Sequence, residues 1–237
     1  MFRLIATRCD AERPAPQRVG RWMALGLPVL APILFIISQV SSVTVSPTDV
    51  TGGSNSTGTV TLNAPSSAGV LVDLLSSRPA LATVPKSITI SNRNGTGTFG
   101  INTGSGQMGC ATISAKVGTT SARSAVVFVK PPDVISPIAL TLSKTSTLGG
   151  ESSSGTVLAP AAAVGSVVQL RSSNPSVTVP ASVTLGHPGA GDDSGLSRAS
   201  FTINSTAVPQ PTCAIITAIH GGSQNHKLLK VFPFIAG

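Results

Sequence analysis

The sequence contains no tyrosine and one tryptophan, and aromatics make up only 3% of its 237 residues. Platforms for stacking a base or a sugar ring are therefore scarce. Charge is thin as well, at 10% of residues, with eight acids in all. Paired carboxylates for glycoside hydrolysis are missing, since Asp192 and Asp193 are the only acids that adjoin. Cysteine occurs three times, with no C-x-x-C and no Cys/His spacing that fits zinc. This excludes a dense disulfide framework. Strong helix formers give way to Gly (24), Pro (18), Ser, Thr and Val, which disfavours a helical protein. Glycine does not recur every third residue, so collagen is excluded. Disorder is disfavoured, because 41% of residues are hydrophobic. What remains is an all-β chain with many turns.

The formal net charge of +8 is uneven. Arg3, Arg8, Arg13, Arg18 and Arg21 face only Asp10 and Glu12, and after Arg21 no two Lys/Arg residues adjoin. Nucleic-acid binders gather positive charge into a patch or stripe, so no nucleic-acid partner is expected. The basic segment 1–21 precedes an apolar run from Trp22 to Ile37, with no charge until Asp49. That layout predicts an N-terminal hydrophobic helix over 22–42 that exports the chain. Two forms of it stay open: a signal peptide cleaved after Ser42, or a retained transmembrane anchor. A buried core helix is the third reading.

Beyond residue 42 the chain is a tandem duplication. Gly52-Gly53 matches Gly149-Gly150, Gly58-Thr-Val60 matches Gly155-Thr-Val157, and Ser76-Ser-Arg-Pro79 matches Ser172-Ser-Asn-Pro175. Phe99-Gly-Ile-Asn102 matches Phe201-Thr-Ile-Asn204, and Cys110-Ala111 matches Cys213-Ala214. The offset starts at 97, falls to 95 and then rises to 103, which places extra residues in the second copy around His187–Gly195. The first copy reads as about seven short runs with alternation in Ser87–Ile90 and Thr98–Asn102, punctuated by Gly, Pro and Asn. This is the signature of an immunoglobulin-like β-sandwich. The expected organisation is sandwich 1 over 43–132, a proline-stiffened linker over 133–137, and sandwich 2 over 138–234.

Val43-Thr-Val-Ser-Pro-Thr-Asp-Val-Thr-Gly-Gly-Ser-Asn-Ser-Thr-Gly-Thr-Val-Thr-Leu62, continuing to Ser76-Ser-Arg-Pro-Ala-Leu-Ala-Thr-Val-Pro85, resembles bacterial Ig-like repeats. The second copy joins that resemblance through Leu140-Thr-Leu-Ser143 and Ser172-Ser-Asn-Pro175. The resemblance implies tandem sandwiches in an exported or cell-surface bacterial protein, used as a spacer, an adhesive module or a carbohydrate-contacting accessory. The chain departs from antibody-type domains: each copy holds one cysteine and no tryptophan.

Few residues suggest chemistry. Cys110 and Cys213 occupy equivalent positions, and the first copy has no histidine to serve Cys110 as a base. They are expected to be small buried apolar residues, or else to form an intermolecular disulfide. Equivalent sites on two separate sandwiches are poorly placed to meet within the ~7 Å that a disulfide needs. Asp192 and Asp193 are two adjacent acids where calcium needs six to eight oxygens, and they read as a solvated loop. His220 and His226 flank the last hairpin without an apparent third metal ligand. Asn55, Asn94 and Asn204 match the glycosylation pattern, which a Ser/Thr-rich chain produces by chance. No G-x-S-x-G elbow, phosphate loop or dinucleotide fingerprint has a helix to complete it. No catalytic, cofactor-binding or metal residue is assigned, and no cofactor is expected. The expected function is a non-enzymatic structural or adhesive module, secreted or held at the cell surface or periplasm. Its partner would be an envelope or extracellular protein or a polysaccharide, with the membrane as a further contact if the helix is uncleaved. The loop 186–197, where the copies differ most, is the expected contact surface. A secreted carbohydrate-binding accessory module is the alternative.

Overall fold

The computed structural model describes residues 38–64, 68–91, 93–132, 136–187 and 195–234, all within the unit Ile36–Gly237. Nine strands form the first half: β1 (Val40–Ser46), β2 (Asp49–Thr51), β3 (Asn55–Leu62), β4 (Val70–Ser76), β5 (Ala82–Thr83), β6 (Ser87–Ile90), β7 (Thr96–Thr103), β8 (Gly109–Lys116) and β9 (Arg123–Lys130). Nine follow in the second: β10 (Ala139–Leu142), β11 (Ser146–Leu148), β12 (Ser152–Pro160), β13 (Val167–Ser172), β14 (Val177–Thr178), β15 (Ser182–Thr184), β16 (Leu196–Ser205), β17 (Thr212–His220) and β18 (Ser223–Phe232).

The two halves share one topology. A four-stranded sheet β1-β3-β7-β5 faces a five-stranded sheet β2-β9-β8-β4-β6, and β10-β12-β16-β14 faces β11-β18-β17-β13-β15 in the same order. Pairing is antiparallel except where β2 runs parallel to β9 and β11 parallel to β18. Each pair of sheets encloses a separate core. The first is built on Val60, Val72, Ile101, Ile113 and Val127, the second on Val157, Val168, Ile203, Ile216 and Leu229.

Alternation in the sequence dictates which face is buried. Along β16, Ser197, Ala199, Phe201, Ile203 and Ser205 turn inward while the residues between them are exposed. The inward hydroxyls are used, as buried polar groups must be. Thr103 Oγ1 donates to the Ser54 carbonyl at 2.6 Å, and its counterpart Ser205 donates to the Glu151 carbonyl at 2.8 Å. Each ties the glycine turn of its own repeat to the end of a core strand.

The expected seven strands per copy become nine. The short β2 and β11 escape a sequence reading because three residues beside a glycine pair read as a turn, and only Val50 and Thr147 of them are buried. The expected helix over 22–42 is corrected at its end. Val40, Ser41 and Ser42 belong to β1, with Val40 opposite Leu62 and the Asn63 amide donating to the Gln39 carbonyl at 2.9 Å. Residues 22–37 lie outside the described residues. Among the described residues no helix is long and apolar enough to cross a membrane.

One packing motif recurs in both repeats. Gly58 stands opposite Phe99, and Gly155 opposite Phe201, in cross-strand register. Each phenyl ring lies over its glycine, in the space a β-carbon would fill. Gly155→Ala is therefore expected to destabilise the protein by about 1–3 kcal/mol through overpacking, read as a lower midpoint in urea. Gly100→Ala, whose β-carbon meets nothing within 4 Å, is the matched control and is expected to change stability by no more than about 0.5 kcal/mol.

Candidate interaction site: the seam between the sandwiches

β17 breaks the rule that strands of a sandwich alternate. Cys213, Ala214, Ile215 and Ile216 are buried in succession, so both faces of this strand are covered. Ala214 and Ile216 enter the core of the second sandwich, whereas Cys213 and Ile215 point outward. There they join Leu228 of β18 and Phe128 of β9 in a third apolar cluster, flanked by Met108, Cys110, Val126 and Phe232. The outer face of one five-stranded sheet thus lies on the outer face of the other.

Cys110 and Cys213 form a disulfide across this seam, with their Cα atoms 6.0 Å apart. This corrects the expectation of two buried thiols or an intermolecular bond. A row of domains related by translation keeps equivalent sites apart. The sandwiches instead turn the same outer face toward each other, which requires a local two-fold relation. Residues near such an axis meet their own counterparts, as in an isologous interface.

The pairing continues beside the cystine. Cys110 lies opposite Phe128 in β8–β9, and Cys213 lies opposite Lys230 in β17–β18, so Phe128 and Lys230 are counterparts. Lys230 Nζ sits 4.8 Å from the centre of the Phe128 ring and forms an ion pair with Asp49. Phe232 meets Phe128 edge-on, with ring centres 6.1 Å apart. Burial of a large apolar side chain is worth about 1.5–3 kcal/mol, whereas the partly buried Asp49–Lys230 pair loses much of its attraction to desolvation. The apolar cluster accordingly supplies most of the non-covalent adhesion, and Lys230 fixes the alignment. These residues escaped the sequence reading, although the unbroken runs Cys213–Ile216 and Val126–Val129 signal strands covered on both sides.

A cleft of about 620 Å³ opens beside the cystine. Its floor is the outer face of β13, β17 and β18, carrying Arg171, Thr217 and His226, and its wall is Arg78 with Met108, Gly109 and Cys110. Gly109 has φ of +135° and no side chain, and the Arg78 guanidinium occupies the place its β-carbon would take. In the second repeat Asn174 stands in for Arg78. Its amide donates to the Cys213 carbonyl at 2.9 Å and to Thr212 Oγ1 at 3.1 Å.

The remaining sequence candidates do not gather. His226 and His220 point to opposite faces of the β17–β18 hairpin, because they differ by an odd register step. His226 Nδ1 shares a hydrogen bond with Thr217 Oγ1 at 3.0 Å, and His220 Nδ1 lies 3.5 Å from the Val167 carbonyl. Asp192 and Asp193 lie outside the described residues, as does most of the loop 186–197. Its base is pinned by two backbone hydrogen bonds between Gly186 and Arg198, at 2.9 and 3.1 Å. Asn204 accepts a hydrogen bond from Ser152 Oγ at 2.9 Å, and Asn55 starts β3. Among the described residues no three of His, Cys, Asp or Glu cluster to hold a metal ion.

The cystine closes a segment with a sequence separation of 103 residues, a loop length at which cross-linking stabilises by about 4–5 kcal/mol in the chain-entropy account. Non-reducing peptide mapping is expected to recover a Cys110–Cys213 cross-linked pair. C110S/C213S is expected to unfold at a lower temperature than the oxidised parent in calorimetry. Free thiols at both positions in protein purified without reductant would contradict this pairing.

No protein-family model matches this chain, and no curated protein matches it. Solved structures do. The D0-D1 domain of intimin matches at 17% identity over 82% of this chain and 99% of its own, with a TM-score of 0.37. The Yersinia pseudotuberculosis adhesin InvE matches at 16% identity over 82% of this chain and 58% of its own, with a TM-score of 0.32. A glycosyl hydrolase family 2 member from Bacteroides cellulosilyticus matches at 13% identity over 76% of this chain and 23% of its own, with a TM-score of 0.33. The strand order and register of the chain itself carry the fold.

Proposed function

We propose that this chain is a non-catalytic, exported structural module in which two Ig-like sandwiches, 43–132 and 138–234, act as one stiff body that presents surface to an envelope or extracellular partner. The observation that carries the reading is the seam. A linker alone leaves neighbouring domains free to reorient, whereas here a cystine, an apolar cluster and the Asp49–Lys230 pair bind them face to face. A disulfide that spans two domains suits an oxidising compartment, which agrees with the basic and apolar leader of the sequence.

With the outer faces of β8–β9 and β17–β18 covering each other, the strand edges and loops stay open to a partner. The outermost strands β1, β5 and β6, and their counterparts β10, β14 and β15, each end a sheet. Their unpaired backbone groups are the means by which all-β modules add a partner strand.

Intact-mass measurement of the native protein in fractionated source cells tests this reading. The expected result is recovery from the envelope or the medium with Cys110 and Cys213 oxidised. Full-length chain in membranes would identify a retained anchor, and a soluble form beginning upstream of Val40 would identify a cleaved signal. Recovery from the cytoplasm with both thiols free overturns the proposal.

A further inference from the structure

The cleft beside the cystine gathers positive charge without a counter-charge. Arg78 comes from the first sandwich, and Arg171 with the ring of His226 comes from the second. None of the residues lining it is acidic. Among the described residues Asp49 is committed to Lys230 and Glu151 to Lys144, and neither Arg78 nor Arg171 has an ion-pair partner. Two guanidinium groups facing one space repel each other, and a bound anion removes that cost. The planar fork of arginine matches an oxyanion with two parallel hydrogen bonds, which a lysine at the same place does not reproduce.

The rest of the lining suits a hydroxylated ligand. Ser173 Oγ accepts from the Ile215 backbone N–H and Thr212 Oγ1 accepts from the Asn174 side-chain amide, so each keeps a hydroxyl proton to donate to a ligand, whereas Ser172 and Thr217 are bonded to Asn174 and His226. The volume lies within the range of small-ligand sites, about 300–1,000 Å³. The position of Arg78 is also built in. Its guanidinium lies over Gly109, in the place a β-carbon would take, and the matching position in the second repeat carries Thr212, bonded to Asn174. The duplication has therefore left the charged arrangement on one side of the seam only.

We infer that this cleft binds an oxyanion, carboxylate or phosphate, between Arg78 and Arg171, and that the ligand carrying it is a short acidic saccharide. The inference goes beyond the structural role proposed above and rests on it in one respect: the two arginines face one cleft only while the sandwiches stay clamped.

Titration calorimetry at low salt on the full oxidised chain tests it, with trigalacturonate, inorganic phosphate and neutral maltotriose as probes. Saturable binding of trigalacturonate or phosphate, with none of maltotriose, is the expected result. Tighter binding of trigalacturonate than of phosphate assigns the anion to a saccharide, and equal binding assigns it to the free ion. Arg78→Ala and Arg171→Ala are each expected to weaken binding at least about tenfold, as loss of a charge-assisted hydrogen bond does. Arg171→Lys is expected to recover only part of it. Both side chains are exposed, so circular-dichroism melting of these variants should match the parent. Arg123→Ala, on β9, is the control for general positive charge. Absence of saturable anion binding, or an equal loss in Arg123→Ala, overturns the inference. A thiol assay on each sample separates that outcome from failure of the clamp, since free Cys110 and Cys213 would indict the seam instead.

Discussion

Contact between two like faces is the constraint on which the molecule depends. An Ig-like sandwich ordinarily hides one face of each sheet and leaves the other to water. Here the outer faces of β8–β9 and β17–β18 are apolar enough to need a cover, and each covers the other. Once a repeat turns that face toward its duplicate, the relation between them is set: counterparts near the axis must meet. The cystine joins Cys110 to its own equivalent, and Phe128 receives Lys230, the residue that replaces it in the second copy. Lysine at the second copy's position sets a cation over the ring where a strictly symmetric seam would set like on like, and Asp49 holds it there. The seam thus keeps the logic of a symmetric dimer while no longer being symmetric in sequence.

Much of the fold is legible in the chain because alternation and turn chemistry are local. Ser87–Ile90 and Val70–Ser76 are strands with the bounds the pattern gives, and the other strands of the first copy differ by one to three residues at an end. The duplication is legible for the same reason, and the strand order repeats it element by element. β2 was lost because three residues beside Gly52-Gly53 cannot show a period. The seam was lost for a different reason. Periodicity reports whether a face is apolar, not what covers it, and Cys213–Ile216 could be read as a strand buried inside one domain. The orientation of two domains is decided by surface shape over many residues, so no short motif announces it.

The cleft is a consequence of the same geometry. Arg78 and Arg171 belong to different repeats and are far apart in sequence, and neither is notable in its local sequence. Arg78 occupies the turn position where the second repeat has Asn174, which bonds to the start of β17. In the first repeat the start of β8 is Gly109, which leaves that position without a side-chain partner and lets a longer, charged residue cross over it. A small difference between the copies puts an exposed cation at the edge of the seam where the other copy has a structural tether.

The cystine also redirects mechanical load. Tension applied at the two ends of the described chain travels along the backbone only as far as Cys110, crosses to Cys213 and leaves through β18. Residues 111–212 lie off that route, and with them go β9, the proline-rich connection and seven strands of the second sandwich. Fully extended, a stretch of that size would measure on the order of 350 Å. None of that length can pay out while the bond is intact, so oxidation sets the extensibility of the module as well as its stiffness.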